Sequence, residues 1–340
     1  SYGSALNMFR EVRIRSRSGT ELSRLENANV YNNYRLQYNK SDNWVNTIGG
    51  LFFLNSASSP FSTNNGIISE ICIPLCELDS FFRPNKSQLL PPQLASGLRI
   101  EISMESIART FLDPAVFFNA TSSLELIDIS MMLDTVNMSD ETSKLLNLES
   151  SQSGLEYVYD RVFSMQSVYP AATTSINIQL QKAVSQATHI FCAISNHTNS
   201  TLGTVESFLS ESFKVKNYQF RLGSSYYPHQ TLIESASSTP RSGAQSYLLT
   251  LSSFDKLKSP FKESSVTLNE YNQSLSVIST SLERDQSLQI SGLPINNSRI
   301  IEILIDRDGT SDGANKVELN TFLTYVTVAK AFIDNVSTAI

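Results

Sequence analysis

Most of the residue types that carry chemistry are scarce in this chain. Its 340 residues hold three histidines (His189, His197 and His229), three cysteines (Cys72, Cys76 and Cys192) and one tryptophan, Trp44. An odd number of widely spaced cysteines provides no disulfide framework. All three sit in apolar runs, where a free thiol is expected to serve as a small buried hydrophobe and a reducing interior is favoured over secretion. Charged residues are only 17% of the chain and the net charge is −6. That argues against a dedicated nucleic-acid binder, which needs a basic footprint. No apolar run approaches the roughly 18 residues that cross a bilayer, and no signal peptide is expected. Walker loops, nucleophile elbows, paired-histidine zinc motifs and dinucleotide fingerprints are all missing.

Apolar residues, by contrast, reach 41%, enough for two domains or one unusually large β domain. Ser, Thr, Asn and Gln supply the polar surface, as in β-rich proteins that bury much of their surface in assemblies. Sequons occur at Asn85, Asn119, Asn137, Asn196, Asn199, Asn272, Asn296 and Asn335. A composition so rich in Asn, Ser and Thr produces several by chance, so they do not establish secretion.

Strand-like runs dominate. Phe9–Arg17 alternates, with Val12, Ile14 and Ser16 on one face and Arg13, Arg15 and Arg17 on the other. Ser18 and Glu21 fit a capping box, which predicts a helix from Thr20 to Arg35. Further strands are expected at Ser69–Cys76, Leu98–Met104, Ser123–Leu133, Leu155–Val168, Thr174–Gln181 and Thr188–Ser195, with a helix at Asp140–Leu148 that exits at Gly154. Asn196–Gly203 reads as a linker. Beyond it, strands are expected at Phe213–Leu222, Gln245–Leu251, Leu275–Leu282, Arg299–Asp306 and Val317–Ile333, and short helices at Ser253–Lys258 and Val266–Asn272. Helical segments never alternate regularly with strands, which argues against a parallel α/β fold. The expected fold is all-β: two consecutive antiparallel sandwiches with short helices in loops, residues 1–200 and 201–340.

Candidate chemistry is thin. His189 and Cys192, three apart on a strand, face opposite ways and make a poor metal pair. Cys72 and Cys76 are expected to share a strand face but have no second pair. The run from Asp306 to Gly313 resembles a calcium loop, yet Ser311 and Val317 stand where the motif needs Gly and Glu, so a hairpin turn is the preferred reading. Glu101 with Glu105, or Asp306 with Asp308, would serve a glycosidase only if they converged across a cleft. No catalytic residue, cofactor or metal is expected. The concentrated basic feature is Arg13, Arg15 and Arg17, candidate inner-face contacts for nucleic acid or an acidic neighbour; a solvated strand face is the alternative.

In order and spacing, the segments MFREVRIRSRSGTEL, ICIPLCELDSFF, LLPPQLASGLRIEI, YDRVFSMQSVYP, INIQLQK and HIFCAIS, followed by Asn217–Gln230, resemble the double jelly-roll major capsid proteins. That lineage includes adenoviruses, virophages, polinton-like viruses and nucleocytoplasmic large DNA viruses. The resemblance implies that Asn217–Gln230 opens a second jelly roll. It also implies a virion location after assembly in the host cell, and a homotrimer of pseudo-hexagonal outline that tiles an icosahedral shell. The implied partners are neighbouring capsomers and penton or minor capsid proteins, with non-specific contact to genome or internal membrane near Arg13, Arg15 and Arg17. A carbohydrate-binding or adhesion β-sandwich is the alternative; it calls for stacked aromatics, and Trp44 lies in an expected helix or loop.

Overall fold

The computed structural model describes residues 3–54, 71–84, 88–106, 109, 126–196, 215–233, 243–256, 263–273, 275–283, 292–295, 300–307, 316–332 and 336–339. The strands are β1 (Gly3–Ser4), β2 (Phe9–Arg15), β3 (Glu21–Glu26), β4 (Phe53–Leu54), β5 (Arg99–Met104), β6 (Leu155–Tyr169), β7 (Ser175–Leu180) and β8 (Val184–Asn196). They continue as β9 (Val215–Leu222), β10 (Ser225–Ile233), β11 (Val277–Ser281), β12 (Leu293–Ile295), β13 (Ile301–Arg307), β14 (Val317–Ala331) and β15 (Val336–Ala339). Between them lie α1 (Ala28–Asn39), α2 (Asp42–Asn46), α3 (Leu75–Leu78), α4 (Pro92–Ala95), α5 (Asp140–Gln152), α6 (Ala244–Ser253) and α7 (Leu268–Gln273). All strand pairs among the described residues are antiparallel, as an all-β meander or Greek key requires.

Two sheets dominate. One is four-stranded in the order β10-β9-β13-β7. The other is six-stranded: β6 flanks β14 on one side, β8 and β15 flank it on the other, and β11 and β12 lie beyond β8. Strand patterns explain the layering. β7 (SINIQL) and β13 (IEILIDR) alternate buried and open residues, so the four-stranded sheet is covered on one face. β14 (VELNTFLTYVTVAKA) is buried nearly throughout, so the middle of the six-stranded sheet is covered on both. Between the sheets, Ile176, Ile178, Tyr218, Phe220, Ile303 and Ile305 meet Ile190, Cys192, Ile194, Leu319 and Leu323. Strands β6 to β11, β13 and β14 enter the two sheets in the sequence of a jelly roll.

This jelly roll does not begin at residue 201. β6 pairs with β14 along its whole length, from Leu155 opposite Ala331 to Tyr169 opposite Val317. β8 pairs with the same strand from Asn196 to Ala187. A division at 200 therefore cuts both sheets, and the sandwich starts at Leu155. Asn217–Gln230 falls on the β9–β10 hairpin, turned at Gly223, in the middle of the jelly roll rather than at its opening.

The first hundred residues pack on the outer face of the six-stranded sheet. Helix α1 is buried from Ala28 to Tyr38. Its Tyr31 ring lies 5.7 Å from Phe191 and 5.4 Å from Phe322, and Tyr38 stacks on Phe254 at 4.9 Å. Beside it, β2 sits between β3 and β5, and Ile14, Leu22, Phe81 and Leu94 bury against Tyr157 and Tyr159 of β6. Several polar groups of this buried helix find partners inside the protein: Asn29 Nδ2 donates to Glu105, Asn32 Nδ2 to the Leu78 carbonyl, and Gln37 Nε2 to Asn33.

Several expected elements are corrected. Ser18 and Glu21 cap no helix: Gly19, at φ +87°, turns a hairpin in which the Ser16 N–H donates to the Thr20 carbonyl, and Glu21 joins the β2–β3 ladder. Helix formation waits until Ala28, after Asn27 in the left-handed region. In the expected strand Ser69–Cys76, residues 71–74 form no strand, the Cys72 N–H reaching the Leu51 carbonyl at 3.4 Å, and α3 begins after Pro74, which has no ladder donor to offer; the first part lies outside the described residues. Of Ser123–Leu133, residues 126–133 form no strand. Gln245–Leu251 belongs to α6, whose buried stripe is Ser246, Thr250 and Ser253, while Leu248 is exposed. The buried face is made of hydroxyls, so hydropathy pointed to the wrong period. The linker residues 197–203 lie outside the described residues.

Candidate functional site

The arginine strand is the first candidate. On β2, Val12 and Ile14 turn to the core, while Glu11, Arg13 and Arg15 share the opposite face. Arg13 Nε donates to Glu11 Oε1 at 2.6 Å, and Arg24 Nε reaches the same oxygen at 2.8 Å. Arg15 lies 3.6 Å from Glu101 on β5, and Arg24 also pairs with Glu26. Burial would raise the Glu11 carboxyl, but hydrogen bonds from Arg13 and Arg24 hold it below the usual range. This face is a cross-strand lattice of both signs rather than a basic stripe. Arg17 lies beyond the strand, exposed, its side chain crossing over Gly97.

Among the described residues the catalytic candidates do not come together. His189 and Cys192 take opposite faces of β8, as their spacing requires. His189 is wedged 4.7 Å from Phe254 and 5.6 Å from Phe191, and burial pulls its pKa down to about 4, so it is neutral at physiological pH. Cys192 lies in the sandwich core, its thiol pushed up to about 12 by burial, with Thr321 Oγ1 at 3.5 Å. Cys72 is exposed and Cys76 half-buried, against the expectation of buried thiols, because the expected strand is not formed. Glu101 faces Arg15, whereas Glu105 turns to Asn29 at 2.9 Å. Asp306 is exposed at the end of β13; Asp308, His197 and the side chain of His229 lie outside the described residues. Among the described residues no three His, Cys, Asp or Glu side chains cluster to hold a metal. Trp44, in α2, is covered by Lys40 Nζ at 4.4 Å and meets Phe52 edge-on at 6.0 Å, so it is built into the packing.

A buried charge cluster lies outside every candidate residue that the sequence pattern singled out. Glu77 in α3 is buried and takes Arg35 at 3.0 Å, Lys40 at 2.6 Å and Arg83 at 3.1 Å. Burial alone would raise its pKa; Arg35, Arg83 and Lys40 hold it near 2. Two positions on, Asp79 accepts from the Phe81 N–H at 2.8 Å and from Ser23 Oγ at 3.1 Å, yet burial lifts its pKa to about 6. A third buried carboxylate, Glu318 on β14, receives Arg109 at 2.6 Å and Asn320 at 2.9 Å. Each is closed off by protein partners, which suits a joint and not a substrate site. The sequence offered one clue, an acidic pair beside an apolar run (LCELDSFF) with Arg83 following it, but Arg35 and Lys40 lie 42 and 37 positions away, in and just after α1.

The chain's surface carries one more feature. In residues 126–138, Leu126, Ile127, Ile129, Met131, Met132, Leu133, Val136 and Met138 are exposed. The alternation that predicted a strand here is real, but no partner strand covers it among the described residues.

No protein-family model and no curated protein matches the sequence. Solved structures do match, over nearly the whole chain. PBCV-1 VP54, fitted into a reconstruction of the virophage Sputnik, aligns with a TM-score of 0.57 at 12% identity, covering 100% of this chain and 87% of its own. The PBCV-1 virus capsid aligns at 0.56 and 14%, covering 100% and 85%. The Faustovirus major capsid protein aligns at 0.55 and 9%, covering 97% and 73%. The fold is therefore that of these double jelly-roll capsid proteins, shared at an identity where only architecture is held in common; among the described residues one of the two rolls, from Leu155 on, is laid out in full.

Proposed function

We propose that this chain is a structural subunit of a viral capsid, a block that assembles with copies of itself into the shell. The observation that carries the reading is the whole-chain match to capsid proteins, end to end. Physical features agree with it. A jelly roll covered on one sheet by the N-terminal third is a stiff block. The open face of the four-stranded sheet presents Ser175, Asn177 and Gln179, polar groups suited to wet contacts between blocks. His189 and Cys192 are used for packing, which supports a role without catalysis.

At finer grain, three copies closing by cyclic contacts form the capsomer, neighbouring capsomers and minor capsid proteins are its partners, and the virion is its location. Arg13 and Arg15, already tied to Glu11 and Glu101, are proposed to meet a neighbour of mixed charge; Arg17 is the member left to face an acidic one. Light scattering of the purified chain over a micromolar concentration series tests the reading. Trimers or larger shells are expected, and a strict monomer throughout would sink it.

A further inference from the structure

The segment 126–138, LIDISMMLDTVNM, forms neither helix nor strand, yet Ile129 is 78% and Met132 88% exposed. Contiguous exposed apolar surface of this kind marks a contact site. Three of the chain's six methionines, Met131, Met132 and Met138, fall in it; these adaptable side chains are favoured at docking surfaces. Charge decides against a membrane as the occupant. From 126 to 143 the chain carries Asp128, Asp134, Asp140 and Glu141 and no Lys or Arg, so an anionic lipid surface repels it.

A complementary surface lies on the chain itself. On β5, Ile100 and Ile102 stand opposite Ile14 and Val12 and so belong to the apolar face of the sheet. Among the described residues that face runs out at β5: Ile102 is 37% exposed, and Ile100 and Met104 are half-buried. At the start of β5, Arg99 and Arg17 are exposed and supply the positive charge that Asp128 and Asp134 lack. The root of the segment is held nearby. In α5, Ser150 Oγ donates to the Ala331 carbonyl at 3.2 Å, and Asn147 accepts from Gln93 of α4, just ahead of β5, at 3.4 Å. Each copy thus carries an acidic apolar arm, rooted near an apolar edge that has Arg17 and Arg99 at its start, the arrangement from which arms are exchanged around a symmetry axis.

We propose that residues 126–138 are an assembly arm that lies along β5 of a second copy of this chain, apolar side chains against Ile100, Ile102 and Met104, acids toward Arg17 and Arg99. This rests on the reading of the chain as a self-assembling block. Strand addition to a sheet edge supplies the backbone contacts, and alternating side chains such as Ile129, Met131 and Leu133 supply the fit.

The test compares the full-length chain with an Ile129→Asp/Met132→Asp double variant by light scattering, with thermal unfolding as a control. Association weakened at least tenfold at an unchanged melting temperature is expected. A variant that assembles like the parent overturns the arm but leaves the assembly reading intact; a parent that never assembles overturns that reading itself. A photo-crosslinking residue at position 132, in a mixture of light and heavy isotope-labelled chains, locates the receptor. Light-to-heavy cross-links to the peptide carrying Arg99–Met104 are expected. Cross-links confined to one copy, or to another segment, overturn the proposal. So does flotation of the parent with anionic phospholipid vesicles that is lost in the double variant.

Discussion

Glu77 and Asp79 stand two positions apart, both buried, and their different partners leave them with opposite pH behaviour. Glu77 drops from 4.5 to about 2 in the fold because three cations surround it. Its contribution is present above pH 4.5 and is lost as the pH falls toward 2. Replacement by Gln at neutral pH strands buried Arg35 and is expected to cost about 3–5 kcal/mol in urea denaturation, a loss that shrinks below pH 4. Asp79 rises from 3.8 to about 6, since two hydrogen bonds do not offset burial. Its ionisation therefore costs stability as the pH climbs from 3.8 through 6. Asp79→Asn is expected to gain about 2 kcal/mol on the parent between pH 4 and pH 7; a constant difference across that range would contradict it. The cysteines differ in the same way by place. Exposed Cys72 is expected to react with a thiol reagent in the folded state and Cys192 only after unfolding.

Elements here are decided by what they pack against. Helix α1 carries Asn, Gln and Arg on faces that an isolated helix would show to water, and none of that forecast its burial. It is buried because Tyr31 and Tyr38 dock on a sheet built from residues 150 to 300 positions away. Tyr31→Ala removes the ring that contacts both Phe191 and Phe322 and is expected to cost about 3 kcal/mol or more in denaturant titration. The exit from α5 was legible: Gly154 has φ +76°, and a Cβ there would stand 2.9 Å from the Phe332 ring. Gly154→Ala is expected to lower stability by at least about 1–2 kcal/mol on backbone grounds, read as a fall in melting temperature. In α6 the same logic failed, because hydroxyls that bond Val277, Ser279 and Tyr218 fill the buried stripe where apolar residues were sought.

For the whole molecule, β14 is the organising strand. It holds β6 and β8 on either side, faces the sandwich core with Leu319 and Leu323, and faces the N-terminal third with Phe322. Because one strand serves both cores, the full chain is expected to unfold in a single calorimetric transition. Two separated transitions would show the parts to be independent. A fragment of residues 201–340 lacks β6, β7 and β8, and so is expected to show no cooperative melt by circular dichroism. Native-like β signal from it would restore the boundary at 200.

The sequence alone determined the strands with a clean two-residue period, including Leu98–Met104, Thr174–Gln181 and Arg299–Asp306, the antiparallel all-β class, and the absence of familiar catalytic motifs. It did so because these are local properties, set by alternation, turn residues and spacing. Tertiary structure decided which strands pair, and so where the jelly roll begins; a composition shift at 196–203 is no substitute for the contact between Leu155 and Ala331. It also decided that Arg13 and Arg15 sit among glutamates, and that the alternating run at 126–138 stays exposed. Those outcomes depend on free energies of contact between residues far apart in the chain, which no local pattern records.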